Sequence, residues 1–426
     1  MYFRTRKVVR VMKLRDKFTV NNPDEGYTRK VSLKELTKWQ KVSITNFGFS
    51  ITHACPNRCA HCAPESAPEL GHTSISMEQA EAWAGDMEDL AAAGVRGINI
   101  TGGEPLLLPK VLKILGEAAT NAGIIFSVVT AAHWARTYEN AVKVIEDHPS
   151  IKSWDISTDI WHLPYVSLER VKNAYQACLD LGREVEIRFA HPEPLAGEHL
   201  ELFNQLLEFA DPKHLCCQAL RNLGRGQENF VQIGISSSSK VQSSDEQRTK
   251  KEKRIERKLA MLEENHSVWH APCLSGGAVV KHDGTVAPCC VGFQEVPEDH
   301  DPMALPVQLG SASLRAENTR SLKEIFLDYI SDPKMLLLRA LGIKEFVRWT
   351  IEAGLEEFVP EPHELTDVCD MCDHLFSEPK VTAAINQKLE NEEILTKKIA
   401  LIADRLLGEP AGLQRFAPEY LRQEET

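Results

Sequence analysis

Between residue 47 and about residue 220 the chain alternates, six times over, a short stretch of β-type apolar alternation with a longer one of helical period, and this pattern restricts the fold more than any other feature. The strand candidates are 47–53, 96–101, 124–130, 151–158, 184–190 and 214–220. Between the first two, TSISMEQAEAWAGDMEDLAAAG predicts one helix, opened by Ser76 and Gln79 as a capping box and stopped at Gly94. The next helix starts on Pro109 and stops at Gly123, and SLERVKNAYQACLDLG sets Val171, Ala174, Tyr175 and Cys178 at helical spacing before Gly182. Strands joined through helices run parallel with right-handed crossovers. The expected class is therefore α/β, either an open sheet or a partial barrel.

Strand parity says which face meets a ligand. In EVEIRFA, Val185, Ile187 and Phe189 share one face while Glu186 and Arg188 share the other. KSWDISTD repeats the arrangement, with Trp154 and Ile156 opposite Ser153, Asp155, Ser157 and Asp159. A charged inner face is costly unless it lines a wet cavity that holds a ligand.

A chain of 426 residues exceeds one ordinary domain, so a large domain of more than about 200 residues plus a smaller one is expected. A formal net charge of −12 argues against a broad phosphate-binding face while leaving room for a local basic groove, and nucleic acid is not an expected partner. The basic start MYFRTRKVVRVMKLRDKF is broken too often by Lys and Arg to be a signal-peptide core. The longest uncharged run, GIIFSVVTAAHWA at 123–135, is too short to span a bilayer. No membrane partner is expected, and a cytoplasmic location is. In that reducing compartment, eleven cysteines read as metal ligands, catalytic groups or small buried hydrophobes.

The expected organisation is an N-terminal extension over 1–45 with two short strand-like pieces, the six-unit domain over 46–235, and a Ser-rich linker with a solvated, strongly charged helix over 236–270. A second cysteine-bearing segment follows over 271–376, with a hairpin turning at Asp283-Gly284 and helices at SLKEIFLDYI and 343–358. A helical tail occupies 377–426.

The first cysteines stand together in CPNRCAHC, residues 55–62, just after the first strand candidate. Thiolates suit zinc, copper(I) and iron-sulfur clusters. His53 or His61 could complete a zinc site of three cysteines and one histidine. A four-iron cluster on three thiolates instead leaves one iron open to a small molecule.

With TGGEP at 101–105, at the end of the second strand, the pattern resembles the radical S-adenosylmethionine (SAM) superfamily. That resemblance implies a partial (β/α)6 barrel, with Cys55, Cys59 and Cys62 holding a SAM-binding [4Fe-4S] cluster. It implies further that His61 touches the adenine, that Gly102, Gly103 and Glu104 receive the SAM amino group, and that Ser157 meets the ribose hydroxyls. Arg188 would pair with the SAM carboxylate, and Arg225 in NLGRG would border the adenine. For each of these side chains the alternative is an ordinary strand-end or turn residue.

Cys273, Cys289, Cys369 and Cys372 resemble the auxiliary-cluster domains called SPASM and twitch. The single-cluster twitch form fits the number of cysteines, which implies a small C-terminal α+β domain with a second, auxiliary [4Fe-4S] cluster. Cys290 could replace Cys289, and a structural zinc on the same four residues is the alternative. Cys216 and Cys217 are adjacent on the sixth strand, so one of them faces the interior. Cys216 is taken as a candidate hydrogen donor of the kind some radical SAM epimerases use, against the reading of a small buried hydrophobe.

The implied chemistry is reductive cleavage of SAM to a 5'-deoxyadenosyl radical, which takes a hydrogen atom from a substrate C–H. A reductant such as flavodoxin or ferredoxin would supply the electron, and the auxiliary cluster would accept one from the substrate radical, giving net oxidation. Asp155 and Glu186 are the candidates for holding substrate or taking its proton. A small polar natural-product-type substrate is expected over a peptide, because the 45 residues before the barrel are short for a leader-binding module. The other readings are a peptide maturase, a radical epimerase, or a non-enzymatic electron carrier or zinc-stabilised binding module.

Overall fold

The computed structural model describes residues 45–192, 194–220, 224–226, 244–264, 277–289, 320–331, 342–360 and 368–391, the strands at 17–22 and 27–32, and isolated positions at 334, 335, 337, 338 and 394. The first two strands, β1 (Lys17–Asn22) and β2 (Tyr27–Ser32), pair antiparallel in a sheet of their own. Six parallel strands follow: β3 (Asn46–Ser50), β4 (Gly97–Thr101), β5 (Ile125–Thr130), β6 (Ile151–Ser157), β7 (Glu184–His191) and β8 (Leu215–Ala219). They are hydrogen-bonded in sequence order, the order of a singly wound barrel, and β3 and β8 do not pair with each other.

The crossovers are helical: α1 (Met77–Gly85) and α2 (Met87–Ala93), α3 (Pro109–Asn121), α4 (Tyr138–Asp147), α5 (Leu168–Asp180) and α6 (Gly197–Phe209). Ser76 caps α1 by accepting from the Gln79 amide at 3.1 Å, as its spacing predicts. The single helix expected over 77–93 is instead two, parted at Asp86. The break has a use, because the Asp86 carboxylate accepts from the Leu322 amide at 2.9 Å, at the start of a helix 236 residues away.

Outward-facing strand residues meet these helices in one core. Phe49 stacks on Trp83 of α1 at 5.0 Å, and Phe47 meets Phe326 at 6.1 Å. Trp154, Ile156, Ile187 and Phe189 are fully buried on the same outer side of the sheet. Burying a side chain of this size contributes roughly 1.5–3 kcal/mol, and the parallel sheet keeps its hydrogen bonds only with that side covered.

Two features differ from expectation. The hairpin of β9 (Val279–Lys281) and β10 (Val286–Ala287) belongs to the barrel's own sheet, with β9 parallel to β3. It covers the edge that an open barrel would leave unpaired. The charged run forms α7 (Ser244–Glu264), and one stripe of it is docked, not solvated. Lys258 is 3% exposed and donates to the carbonyls of Glu356, at 2.7 Å, and of Val359. Arg254 reaches the buried Glu356 carboxylate at 2.9 Å and Lys251 does so at 3.1 Å. A lysine stem packs apolar while its ammonium satisfies carbonyls, so a polar sequence can still hide a contact face.

Beyond these lie α8 (Leu322–Ser331), α9 (Lys344–Glu352), α10 (Val368–Phe376) and α11 (Pro379–Leu389), the last burying Val381 and Ile385. The Ser-rich linker and most of the tail past 391 fall outside the described residues. Among the described residues no helix is long and apolar enough to cross a membrane.

Candidate functional site

The inner face of the barrel is built by register. Ser153 pairs with Glu184, Asp155 with Glu186, and Ser157 with Arg188, which in turn pairs with Cys216. Partners in a parallel ladder point to the same side, so Ser157, Arg188 and Cys216 form one inward row, at the end of β6 but the start of β8, with Asp155 and Glu186 in the row beneath. Cys217 packs against the outer core, which settles the parity of the cysteine pair in favour of Cys216. Arg188 is ion-paired with Asp155, and its Nε lies 3.9 Å from Glu186. Burial, with Asp155 nearby, raises the Glu184 carboxyl above its ordinary pKa.

Above this face the chain leaves β3 and runs beside the TGGEP turn. Ile51 still bonds Thr101 at 3.1 Å, then Gly103 donates to Thr52 at 2.6 Å and Glu104 to Ala54 at 2.8 Å. Gly103 has no room for a Cβ, which would stand 2.6 Å from the Ala54 carbonyl carbon. The two glycines therefore hold the entry to the cysteine loop against the second strand.

Glu104 is fully enclosed. Its oxygens accept from Thr130 Oγ1 at 2.9 and 3.0 Å, from the Ala131 amide at 3.0 Å and from the Leu106 amide at 3.1 Å, and His133 Nδ1 lies 3.3 Å away. The carboxylate thus ties the turn to the end of β5.

Cys55 and Cys59 are buried and Cys62 is partly so. Burial pushes the Cys55 thiol up to about 12, against the pull of an Asn57 amide 3.4 Å from its sulfur. Burial also raises Cys62, opposed by the charge of Arg225 and by hydrogen bonds from Ser66. Thiols in such surroundings do not ionise unaided, and a bound cationic centre is what would deprotonate them. Asn57 Nδ2 and His61 Nδ1, buried in the same loop, have no hydrogen-bond partner among the described residues. Of the two histidines considered for a zinc site, His53 packs on His282 at 4.4 Å and has a buried Nε2 with no partner among the described residues, while His61 turns Nε2 to Asp159 Oδ2 at 3.1 Å, so each ring still has a nitrogen to give and the zinc alternative stands beside the cluster. Three soft donors from one loop fit a cluster whose remaining coordination comes from outside the protein.

Sequence reasoning missed His162. Asp159 accepts from the Trp161 and His162 amides at 2.9 and 3.0 Å, and this local turn swings the His162 ring back, with Nδ1 2.9 Å from the same carboxylate. Burial would raise the Asp159 carboxyl, but His162 and His61 hold it well below its ordinary value. Trp161 stacks between His61 at 4.8 Å and His199 at 5.0 Å, forming an aromatic wall beside the loop. The available signal was DIWH, an Asp three residues before a His just past a strand.

Arg225 turns its guanidinium onto the backbone of the cysteine loop, donating to the carbonyls of Cys59 at 3.0 Å, Glu65 at 2.8 Å and Ser66 at 2.7 Å. Of the second cysteine set, Cys289 ends the hairpin and Cys372 lies on α10. Cys273, Cys290 and the side chain of Cys369 fall outside the described residues.

Residues 49–190 match the family model described as the Radical SAM superfamily. The YydG protein of Bacillus subtilis (strain 168), named for peptide biosynthesis, is 22% identical over 333 residues, which is 77% of this chain and 91% of that protein. A PqqA peptide cyclase of Ruegeria pomeroyi is 32% identical over 81 residues, 19% of this chain and 21% of the cyclase. The solved structure of native anSMEcpe with bound AdoMet superposes over 80% of this chain and 98% of that one, with 13% identity and a TM-score of 0.43.

Proposed function

We propose that the radical SAM domain at residues 49–190 serves an enzyme that takes a hydrogen atom from a peptide substrate lying over the inner face of β6, β7 and β8. The observation that carries the reading is the loop of three buried or half-buried thiols zipped to the TGGEP turn. The peptide choice replaces the expected small polar substrate because the relative sharing 77% of the chain is named for peptide biosynthesis.

When bound on Cys55, Cys59 and Cys62, a [4Fe-4S] cluster supplies the electron that cleaves SAM to methionine and a 5'-deoxyadenosyl radical. Around it, His61 and the aromatic wall would border the adenine, Ser157 would meet the ribose, and Gly102, Gly103 and Glu104 would shape the amino-group pocket. Arg188 would exchange Asp155 for the SAM carboxylate, a bidentate contact. That exchange would free Asp155, beside Glu186, to hold substrate or take its proton. Cys273, Cys289, Cys369 and Cys372 would hold the auxiliary cluster, the electron acceptor of a net oxidation.

The inward position of Cys216 favours a second reading, epimerisation. There the Cys216 S–H would give its hydrogen atom to the substrate radical, and the thiol would be restored by one electron from an external reductant such as flavodoxin or ferredoxin and one proton from water. Redox change is then nil for the substrate.

Anaerobically reconstituted full chain, reduced with dithionite, is expected to release 5'-deoxyadenosine from SAM, and the variant with Cys55, Cys59 and Cys62 all changed to Ala is not. Asp155→Ala or Glu186→Ala should retain SAM cleavage and lose peptide product. In deuterated water, epimerisation leaves one deuterium in the product, and Cys216→Ala abolishes it. A wild-type chain that binds iron yet yields no 5'-deoxyadenosine would sink the proposal.

A further inference from the structure

Arg225 follows β8, the last barrel strand, whereas the cysteine loop follows β3, the first, and these two strands are not hydrogen-bonded to each other. Arg225 links the loops that follow these two strands. Besides its three side-chain bonds, the Arg225 amide donates to the Cys62 carbonyl at 3.2 Å, so the residue holds four carbonyls between Cys59 and Ser66. Gly224 makes the approach possible. It has φ +52°, and a Cβ there would stand 2.7 Å from the Cys62 oxygen and 2.8 Å from the Ala63 carbonyl carbon.

We infer that Arg225 is a positioning residue that shapes the cysteine loop before iron is bound, presenting Cys55, Cys59 and Cys62 as a set. This role is separate from the expected one at the adenine, since Nε, Nη1 and Nη2 each donate to a backbone oxygen of the loop. Loop carbonyls that face one another without a donor repel and cost desolvation. Five N–H donors in a fixed plane can meet three of them at once, and a lysine ammonium cannot reach the same spread of acceptors. A loop ordered in advance removes the ordering cost from cluster binding. The purpose assigned to the ordered loop rests on the radical SAM reading, but the ordering itself is a property of the chain without iron.

The test therefore starts with the full chain free of iron. Amide hydrogen exchange over 55–67, where Cys55, Cys62, Glu65 and Ala67 all donate within the loop, is expected to quicken at least ~10-fold in Arg225→Ala, with the amides of β5 (Ile125–Thr130) unchanged as the internal reference. Arg225→Lys should quicken it nearly as much. Millimolar methylguanidinium should restore protection to Arg225→Ala, and methylammonium should not. On anaerobically loaded protein, iron loss to a chelator should accelerate by a similar factor. If Arg225→Ala does not fold, Arg225→Gln and Arg225→Lys supply the same comparison. Exchange and iron loss equal to wild type in any folded variant would overturn the inference. Quickened exchange in a chain that takes up no iron at all would leave the ordering role standing and defeat the radical SAM reading.

Discussion

Replacing Gly103 by Ala should loosen the candidate site by crowding alone. Its backbone is not in the left-handed region, so the obstacle is space. The added carbon would fall inside contact of the Ala54 oxygen, 2.6 Å from the Ala54 carbonyl carbon and 2.9 Å from the His53 carbonyl carbon. Carbon pairs rest at about 3.5–4.0 Å, so the turn and the loop entry must part by about 1 Å. Overpacking of this kind costs about 1–3 kcal/mol. The hydrogen bonds from Gly103 to Thr52 and from Glu104 to Ala54, at 2.6 and 2.8 Å, would stretch with it, each contributing about 1 kcal/mol. Against this stands a gain of about 0.4–1 kcal/mol from a stiffer unfolded chain. The net loss is about 2–4 kcal/mol. Urea unfolding of the iron-free chain, followed by circular dichroism, measures it, and anaerobic iron uptake should fall in parallel. Gly85→Ala is the control, because a Cβ there meets open space. A Gly103→Ala chain within about 0.5 kcal/mol of wild type, with full iron uptake, would refute the packing argument.

Glu104→Gln puts an amide NH2 where the carboxylate accepts from backbone and Thr130 donors, and should cost about 1–3 kcal/mol by urea midpoint with no change in m-value. Burial first, then His282 and Lys281, depresses His53 from 6.5 to about 4. The unfolded chain therefore binds the extra proton, so stability is full above pH 6.5 and declines as the pH falls toward 4; His53→Leu should flatten that limb in urea titrations at a series of pH values. Lys258→Met retains the packed stem and strips the donor from the Glu356 and Val359 carbonyls, which should cost about 1–3 kcal/mol; an unchanged midpoint would mean that water satisfies them.

Local rules made the barrel units legible. Strand parity at KSWDISTD and EVEIRFA, the Ser76 cap and the Pro109 start depend on neighbours within a few residues, and each of those elements forms where its own chemistry places it. CPNRCAHC and TGGEP were equally legible, because spacing within one loop is a property of the chain. Tertiary structure decided what joins across distance. Only folding could bring Arg225 to the carbonyl of Glu65, 160 residues earlier, set β9 beside β3, or aim Asp86 at the start of α8. His162 was hidden for a related reason, since a histidine acquires a role only when a turn brings its ring to a partner, here Asp159. Burial reversed the reading of Lys258, whose charge speaks for solvent in the sequence while its ammonium serves two buried carbonyls in the fold. Periodicity and spacing travel along the backbone, whereas the partner that satisfies a polar group is chosen by three-dimensional packing.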